Sequence, residues 1–281
     1  MSTRPLSTRP LSTVLVTGGA GRIGTYLRRG LPALGWRLRL LDRVPPAPGG
    51  DAETVTADVT DRAAVAAAVS GVDAVVHLAG VMRADAAFDE ILTANIDGTF
   101  AVLDQARQAG VGRFVYASTN HANGFAPRSS GFRSPGSAGS PGSAGSPGGD
   151  RPDSYYGVSK LFGEALCRLY VDRYGMQIAC LRIGSCFDVP RNPRMLGTWL
   201  SPGDSVRLVH ACLTYPELEY AVVYGTSANS RNWWDISPAR ALGYEPRDNA
   251  ERFAADILAP FGGHDPTTQE DPQGGDSAWR A

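Results

Sequence analysis

The 281-residue chain is poor in the residues that most quickly assign a function. Its four cysteines, Cys167, Cys180, Cys186 and Cys212, form no C-x-x-C pair, and a chain of this length needs no disulfides to hold a core. They read as free thiols in a cytoplasmic protein. Its four histidines, His77, His121, His210 and His264, are scattered without metal-ligand spacing, so no metal is expected. No apolar run approaches about 20 residues, which argues against a membrane span. The arginines near the N-terminus are not followed by the apolar stretch of a secretory signal. A net charge of −1 gives no global attraction to nucleic acid or to an anionic membrane. What remains is an ordinary 43% apolar composition, enough for one large α/β domain with a small lobe; the homo-oligomeric state is left open.

Low-complexity stretches set the outer limits. Residues 2–11 repeat S-T-R-P-L twice, so 1–12 are expected to be a disordered lead-in. Residues 134–149 repeat S-P-G-S-A-G, can bury nothing apolar and predict a flexible loop. The stretch 264–281 predicts a flexible tail. Between them, 13–263 predict a single Rossmann-type, doubly wound parallel sheet, with a substrate lobe formed mainly by about 186–240.

Residues 14–24 read V-L-V-T-G-G-A-G-R-I-G, a short apolar strand, a glycine turn and a helix start. Gly18 permits the turn, Gly21 lets a ligand's phosphates approach the backbone, and Gly24 lets the helix pack on the sheet, with Arg22 and Ile23 between them. Ile23, Leu27, Leu31 and Leu34 continue with helical spacing, and Gly35 suits its C-terminal cap. The next strand, 37–41, ends at Asp42. An acidic residue there accepts from the ribose hydroxyls of NAD and repels a 2′-phosphate, although Arg43 beside it favours NADP. A strand at 54–57 leads to Asp58 and Val59, placed to flank an adenine ring, and Asp61 or Thr60 can cap the following helix. After the strand 74–77, Leu78, Ala79 and Gly80 bring small residues and bare backbone to the cofactor. A helix is expected from about Phe88 to Ala109. Asn95 is unfavourable in its middle, which points to a positional role.

The strand 113–117 runs into S-T-N-H at 118–121. The helix after the low-complexity loop opens S-Y-Y-G-V-S-K, placing Tyr156 and Lys160 four apart on one face. A tyrosine has a pKa near 10, too high for a base at neutral pH. A neighbouring ammonium would lower it.

Together these motifs identify the chain as a member of the short-chain dehydrogenase/reductase superfamily, extended type, with T-G-x-x-G-x-x-G at 17–24. That membership implies Tyr156 as the acid–base residue, Lys160 holding the nicotinamide ribose, and Thr119 bonding the reacting oxygen, with Ser118 a weaker competitor. The stretches A-S-T-N-H, Y-Y-G-V-S-K-L-F-G-E, L-R-I-G-S-C, N-P-R-M-L and T-S-A-N-S-R-N-W-W-D resemble those of the uronate dehydrogenases. The resemblance implies NAD-dependent oxidation of D-glucuronate or D-galacturonate at C1 to an aldaric acid lactone. It places substrate contacts at Thr119, Asn120, His121, Tyr156, Ser185 and Arg194. A guanidinium pairs bidentately with a carboxylate, so Arg194 is the natural anchor for a sugar acid. Cys186 is expected against the nicotinamide rather than as a nucleophile. Two departures from the family pattern stand out. Thr119 replaces the usual serine, and Met82 stands about where the family carries a substrate-contacting serine, with Arg83 as a substitute contact.

Two other readings compete. A nucleotide-sugar epimerase or dehydratase shares these motifs but needs a larger lobe than this chain provides. A non-catalytic NAD(P)-sensing regulator shares the fold but typically loses the Tyr/Lys pair.

Overall fold

The computed structural model describes residues 13–83, 85–130, 150–268 and 270–275. The expected lead-in at 1–12 and the low-complexity loop at 134–149 lie outside the described residues. Among the described residues nine strands follow in chain order: β1 Thr13–Thr17, β2 Arg37–Asp42, β3 Glu53–Thr56, β4 Ala74–His77, β5 Arg113–Thr119, β6 Gln177–Ile183, β7 Ser185–Cys186, β8 Trp199–Leu200 and β9 Tyr220–Gly225. The helices are α1 Arg22–Gly30, α2 Arg62–Val69, α3 Phe88–Ile91, α4 Gly98–Gln108, α5 Tyr155–Tyr174, α6 Met195–Thr198, α7 Pro202–Thr214, α8 Ser237–Ala241 and α9 Ala254–Leu258. Seven strands make a wholly parallel sheet in the order β3-β2-β1-β4-β5-β6-β9, and β7 pairs with β8 apart from it.

Both faces of the sheet are covered, which is why its strands read as near-continuous apolar runs. Val14 and Val16 point into one core with Leu27 and Leu31 near α1 and Val206 and Val209 of α7. Leu15 points into the other with Val65 and Val69 of α2, Val102 and Ala106 of α4, and Cys167 and Tyr170 of α5. Gly30 permits α1 to meet α7, since a Cβ there would come within 2.6 Å of a Val206 methyl.

Strand order reverses at β1, whose neighbours β2 and β4 lead to opposite edges of the sheet. In open α/β sheets the crevice beyond the strand ends at such a switch point is where ligands bind. The glycine turn after β1 and residues 78–80 after β4 flank it.

Four expectations shift. The lobe is smaller than 186–240, because α7 buries an apolar face on the sheet and β9 is its seventh strand. The third strand begins one residue early, at Glu53. The helix α1 ends at Gly30, and Gly35, at φ +89°, closes a separate short turn, Pro32–Leu34. The long helix expected over 88–109 is interrupted by a π-helical turn at Leu92–Asp97 between α3 and α4. Such widened turns concentrate at functional positions, and this one carries Asn95.

Candidate active site

The cofactor side is built from backbone. Gly18 has φ +71°, its N–H donates to the Leu41 carbonyl at 2.8 Å, and a Cβ on it would lie 2.8 Å from the Ala79 nitrogen. Gly24 packs so closely that a Cβ would stand 2.5 Å from the Gly18 carbonyl oxygen. Gly21 is exposed at the start of α1, where no side chain caps the first turn. Asp42 ends β2, and its carboxylate accepts from the Ala20 N–H at 3.0 Å, which fixes it beside the turn. Arg43 is exposed, 4.0 Å from the Asp58 carboxylate. Asp58 is held by Thr60, Asp61 rather than Thr60 caps α2, and Val59 is buried. Leu78 and Ala79 donate their N–H groups to the carbonyl and hydroxyl of Thr17. Arg22 reaches the Cys186 carbonyl at 3.4 Å and lies over Phe187, tying the turn to β7, while Ile23 packs on the core. Bare backbone at a helix start and a carboxylate at the next strand end fit the pyrophosphate and ribose of a dinucleotide. Burial pushes the Cys186 thiol up to about 12, so it is no nucleophile.

The reacting side is carried by α5, whose first turn is capped by Ser154 accepting from the Gly157 N–H at 3.1 Å. Tyr156 is buried and hydrogen-bonded to Thr119 at the end of β5. Burial raises its pKa to about 12, while the Thr119 hydrogen bond pulls the other way. Lys160, one turn on and also buried, has its ammonium 4.9 Å above the Tyr116 ring and 5.8 Å from the Tyr156 ring centre. Burial lowers its pKa to about 8. The expected lowering of Tyr156 by Lys160 is therefore absent in the free chain, because the ammonium sits over Tyr116 and both groups are desolvated.

Asn95 supports this arrangement from the π turn. Its side chain accepts from the Val81 N–H at 2.7 Å and donates to the Val81 carbonyl and to Ser159, each at 2.9 Å. A Cβ on Gly80, at φ +152°, would come within 2.9 Å of the Asn95 oxygen and 3.6 Å of the Lys160 nitrogen. His77 is a buried structural residue between the Thr17 and Thr99 hydroxyls, and burial pushes it down to about 3.

The third wall follows β5. Asn120 is buried and donates to the Gln273 carbonyl at 3.3 Å. His121 contacts Asp153 through Nδ1 at 2.7 Å, and its ring centre lies 5.9 Å from that of Tyr156. Ser185 shares a hydrogen bond with Thr198 at 3.0 Å. Arg194 donates from Nε to the Gln273 carbonyl at 3.1 Å, also from Nη2, and from Nη1 to the Ser185 hydroxyl at 3.5 Å. The structure thus links Tyr156, Thr119, Asn120, Arg194 and Ser185 through successive contacts. Residues 271–275 are not the free tail expected from 264. They are docked against this wall by backbone hydrogen bonds, and Gln273 is fully buried.

Ser118 does not compete with Thr119. It donates to the Glu164 carboxylate at 2.5 Å. Glu164 in turn takes a bidentate pair from Arg182, which also meets Asp150 at 3.1 Å. This buried group bolts α5 to β5 and β6. Met82 is exposed, and Arg83 pairs with Glu90 and Asp85 on the surface. Sequence reasoning missed Asp153, Glu164, Arg182 and Gln273. An arginine inside an apolar strand was the available signal for the Glu164 pair. Another unused signal was that Lys160 is the only lysine among 27 basic residues.

Comparison with known proteins agrees with this geometry. Residues 14–194 match the NAD dependent epimerase/dehydratase family. A uronate dehydrogenase of Pseudomonas putida is 43% identical over 90% of this chain and 91% of its own length. A mutant of the uronate dehydrogenase from Agrobacterium tumefaciens, solved in complex with NAD, superposes with a TM-score of 0.83 at 39% identity, covering 96% of this chain and 98% of that one. The glucuronic acid dehydrogenase from Chromohalobacter salexigens superposes with a TM-score of 0.85 at 37% identity, again over 96% and 98%. The chain belongs to the NAD dependent epimerase/dehydratase family, as a relative of the uronate dehydrogenases.

Proposed function

We propose that the protein oxidises C1 of a cyclic hexuronate, D-glucuronate or D-galacturonate, with NAD, and releases the aldaric acid lactone. The observation that carries this reading is the buried Tyr156–Thr119 pair, with Lys160 one turn away and the Arg194 guanidinium on the adjoining wall. Gly18, Gly21, Arg22, Ile23, Gly24, Asp42, Asp58, Val59, residues 78–80, Asn95 and Cys186 would hold NAD, which would supply the acceptor for the C1 hydride.

The chain's own residues do the rest. Tyr156 takes the proton from the C1 hydroxyl, and Thr119 and Tyr156 together offer preorganised hydrogen bonds to the developing negative charge on that oxygen. With a pKa of about 8, Lys160 carries its charge at neutral pH, so a cation stands near the phenol when it must ionise. Lys160 also orients the nicotinamide ribose. Arg194 pairs with the substrate carboxylate, while Ser185, Asn120 and His121 hydrogen-bond the sugar. A neutral sugar offers Arg194 no charge to pair with, which favours an acid as substrate.

Among the described residues no helix is long and apolar enough to cross a membrane, and the four cysteines are free and buried. We place the enzyme in the cytoplasm on that basis. The test is turnover. D-galacturonate or D-glucuronate with NAD should give NADH, and Tyr156→Phe should lower kcat by about a hundredfold or more while NAD still binds. Equal activity of Tyr156→Phe would remove the catalytic assignment, and conversion of a nucleotide-sugar in place of a free uronate would favour the epimerase reading.

A further inference from the structure

The segment 271–275 touches Asn120 and Arg194, two of the residues that the uronate reading assigns to the sugar. The Gln273 N–H donates to the Ala126 carbonyl at 2.8 Å, and the Gly274 N–H donates to the Gly124 carbonyl at 2.9 Å. The Arg128 N–H donates to the Asp271 carbonyl at 3.1 Å. The Gln273 side chain accepts from the Trp234 indole at 2.9 Å. These bonds clasp the segment onto the loop that follows Thr119.

One atom then bridges two walls. The Gln273 carbonyl oxygen accepts from Asn120 on the loop after β5 and from Nε and Nη2 of Arg194 before α6. A guanidinium held along its Nε–Nη2 edge turns its Nη1 side towards Ser185, where the 3.5 Å contact is found. The same segment reaches His121 indirectly. The Asp153 carboxylate that contacts His121 is wedged between Gly124 and Gly274: a Cβ on Gly124 would lie 1.7 Å from its Oδ2, and one on Gly274 2.0 Å away. Only glycine at both positions lets Asp153 stay against the imidazole.

We infer that residues 271–275 are a built-in strap that sets the carboxylate specificity of the site, with Gln273 as a positioning residue for Arg194 and Asn120, and Gly274 for Asp153 and His121. This rests on the uronate reading above. The strap's hydrogen bonds to Asn120, Gly124, Ala126, Arg194 and Trp234 all fall on the sugar side of the site, so its influence falls on the sugar. Because the working atom at 273 is a backbone carbonyl, the side-chain change Gln273→Leu acts on it through the side-chain clasp, by releasing the bond to Trp234. Gly274→Ala acts differently, by driving Asp153 from His121.

The experiment compares the parent enzyme, Gln273→Leu, Gly274→Ala and a chain ended after residue 268. Displacement of a positioned group by about 1 Å costs on the order of a hundredfold. The expected result is a KM for D-galacturonate raised at least tenfold in all three, with kcat within about threefold of the parent and the Kd for NAD unchanged. Oxidation of D-galactose, which lacks the carboxylate, should lose much less of its kcat/KM than oxidation of D-galacturonate, because Arg194 has no carboxylate to hold there. A merely structural strap would lower kcat and NAD affinity along with uronate affinity, or slow both sugars alike, and either result overturns the inference. A lower KM in the shortened chain would also overturn it, by showing that the Gln273 carbonyl competes with the substrate for Arg194. If the parent oxidises no uronate, the uronate reading falls and the strap's role with it. If the parent does and the variants match it, only the strap's role falls.

Discussion

Lys160 should weaken the fold it serves. Its pKa falls from 10.5 to about 8 because burial penalises the ammonium, a change worth about 3 kcal/mol in favour of the neutral amine. Below pH 8 the lysine is charged in both the folded and the unfolded chain, and the folded chain bears the whole cost. Between pH 8 and 10.5 the unfolded chain holds the proton more tightly, so stability rises with pH. Above 10.5 both states are neutral and the cost is gone. Lys160→Met keeps the aliphatic stem and removes the charge. Urea unfolding of the NAD-free protein should show the variant more stable than the parent by about 3 kcal/mol at pH 7, shrinking to about 1 kcal/mol at pH 10. Other groups that ionise near pH 10 cancel in this comparison, because parent and variant share them. The same variant should lose uronate oxidation. A gain equal at both pH values, or a variant less stable than the parent at pH 7, would refute the claim that the buried charge is what costs.

Two further predictions concern the supports of the site. Asp42→Ser removes a charged acceptor at the ribose and leaves Arg43 nearby. Loss of a hydrogen bond to a charged group is worth about 1.5–3 kcal/mol, so the ratio of kcat/KM for NAD to that for NADP should fall at least tenfold; an unchanged ratio would remove Asp42 from cofactor discrimination. Glu164→Gln removes the charge opposite Arg182 in a buried pair, which should lower the urea-unfolding free energy by about 3 kcal/mol. A loss under 1 kcal/mol would mean that Asp150 alone compensates Arg182.

Periodicity and glycine spacing were enough to read the cofactor half of the molecule, because each signal is local. The turn at Gly18, the acid at Asp42 and the Tyr156–Lys160 pair sit within single strand–turn–helix units. Their partners across the sheet follow from the parallel topology. What was not legible depends on contacts between distant segments. The residues 271–275 read as a tail because three glycines and prolines in a short polar stretch carry no periodic signal, yet backbone hydrogen bonds pin them to 124–128. Asp153 carries no local signal, since nothing in the sequence around it shows that two glycines flank its carboxylate. The lobe was drawn too large for a related reason: the apolar face of α7 is visible in sequence, but the surface it covers is not. Asn95 lies between these cases. Its poor helix propensity marked it as unusual, while the π turn that aims it at Val81 and Ser159 is a tertiary result.

The choice of lysine at 160 follows from the same geometry that makes it costly. Every other basic residue in the chain is arginine, so the composition alone would favour arginine here. A guanidinium keeps its charge above pH 12 and is broad and planar. The space around the Lys160 nitrogen is bounded by the Tyr116 ring at 4.9 Å and by the bare backbone of Gly80, where even a Cβ would stand 3.6 Å away. A compact ammonium fits there, and one with a pKa of about 8 can give up or regain its proton near neutral pH as the charge on Tyr156 changes. Arginine at this position could do neither, so Lys160→Arg should fail to restore the activity lost in Lys160→Met and should destabilise the fold as well.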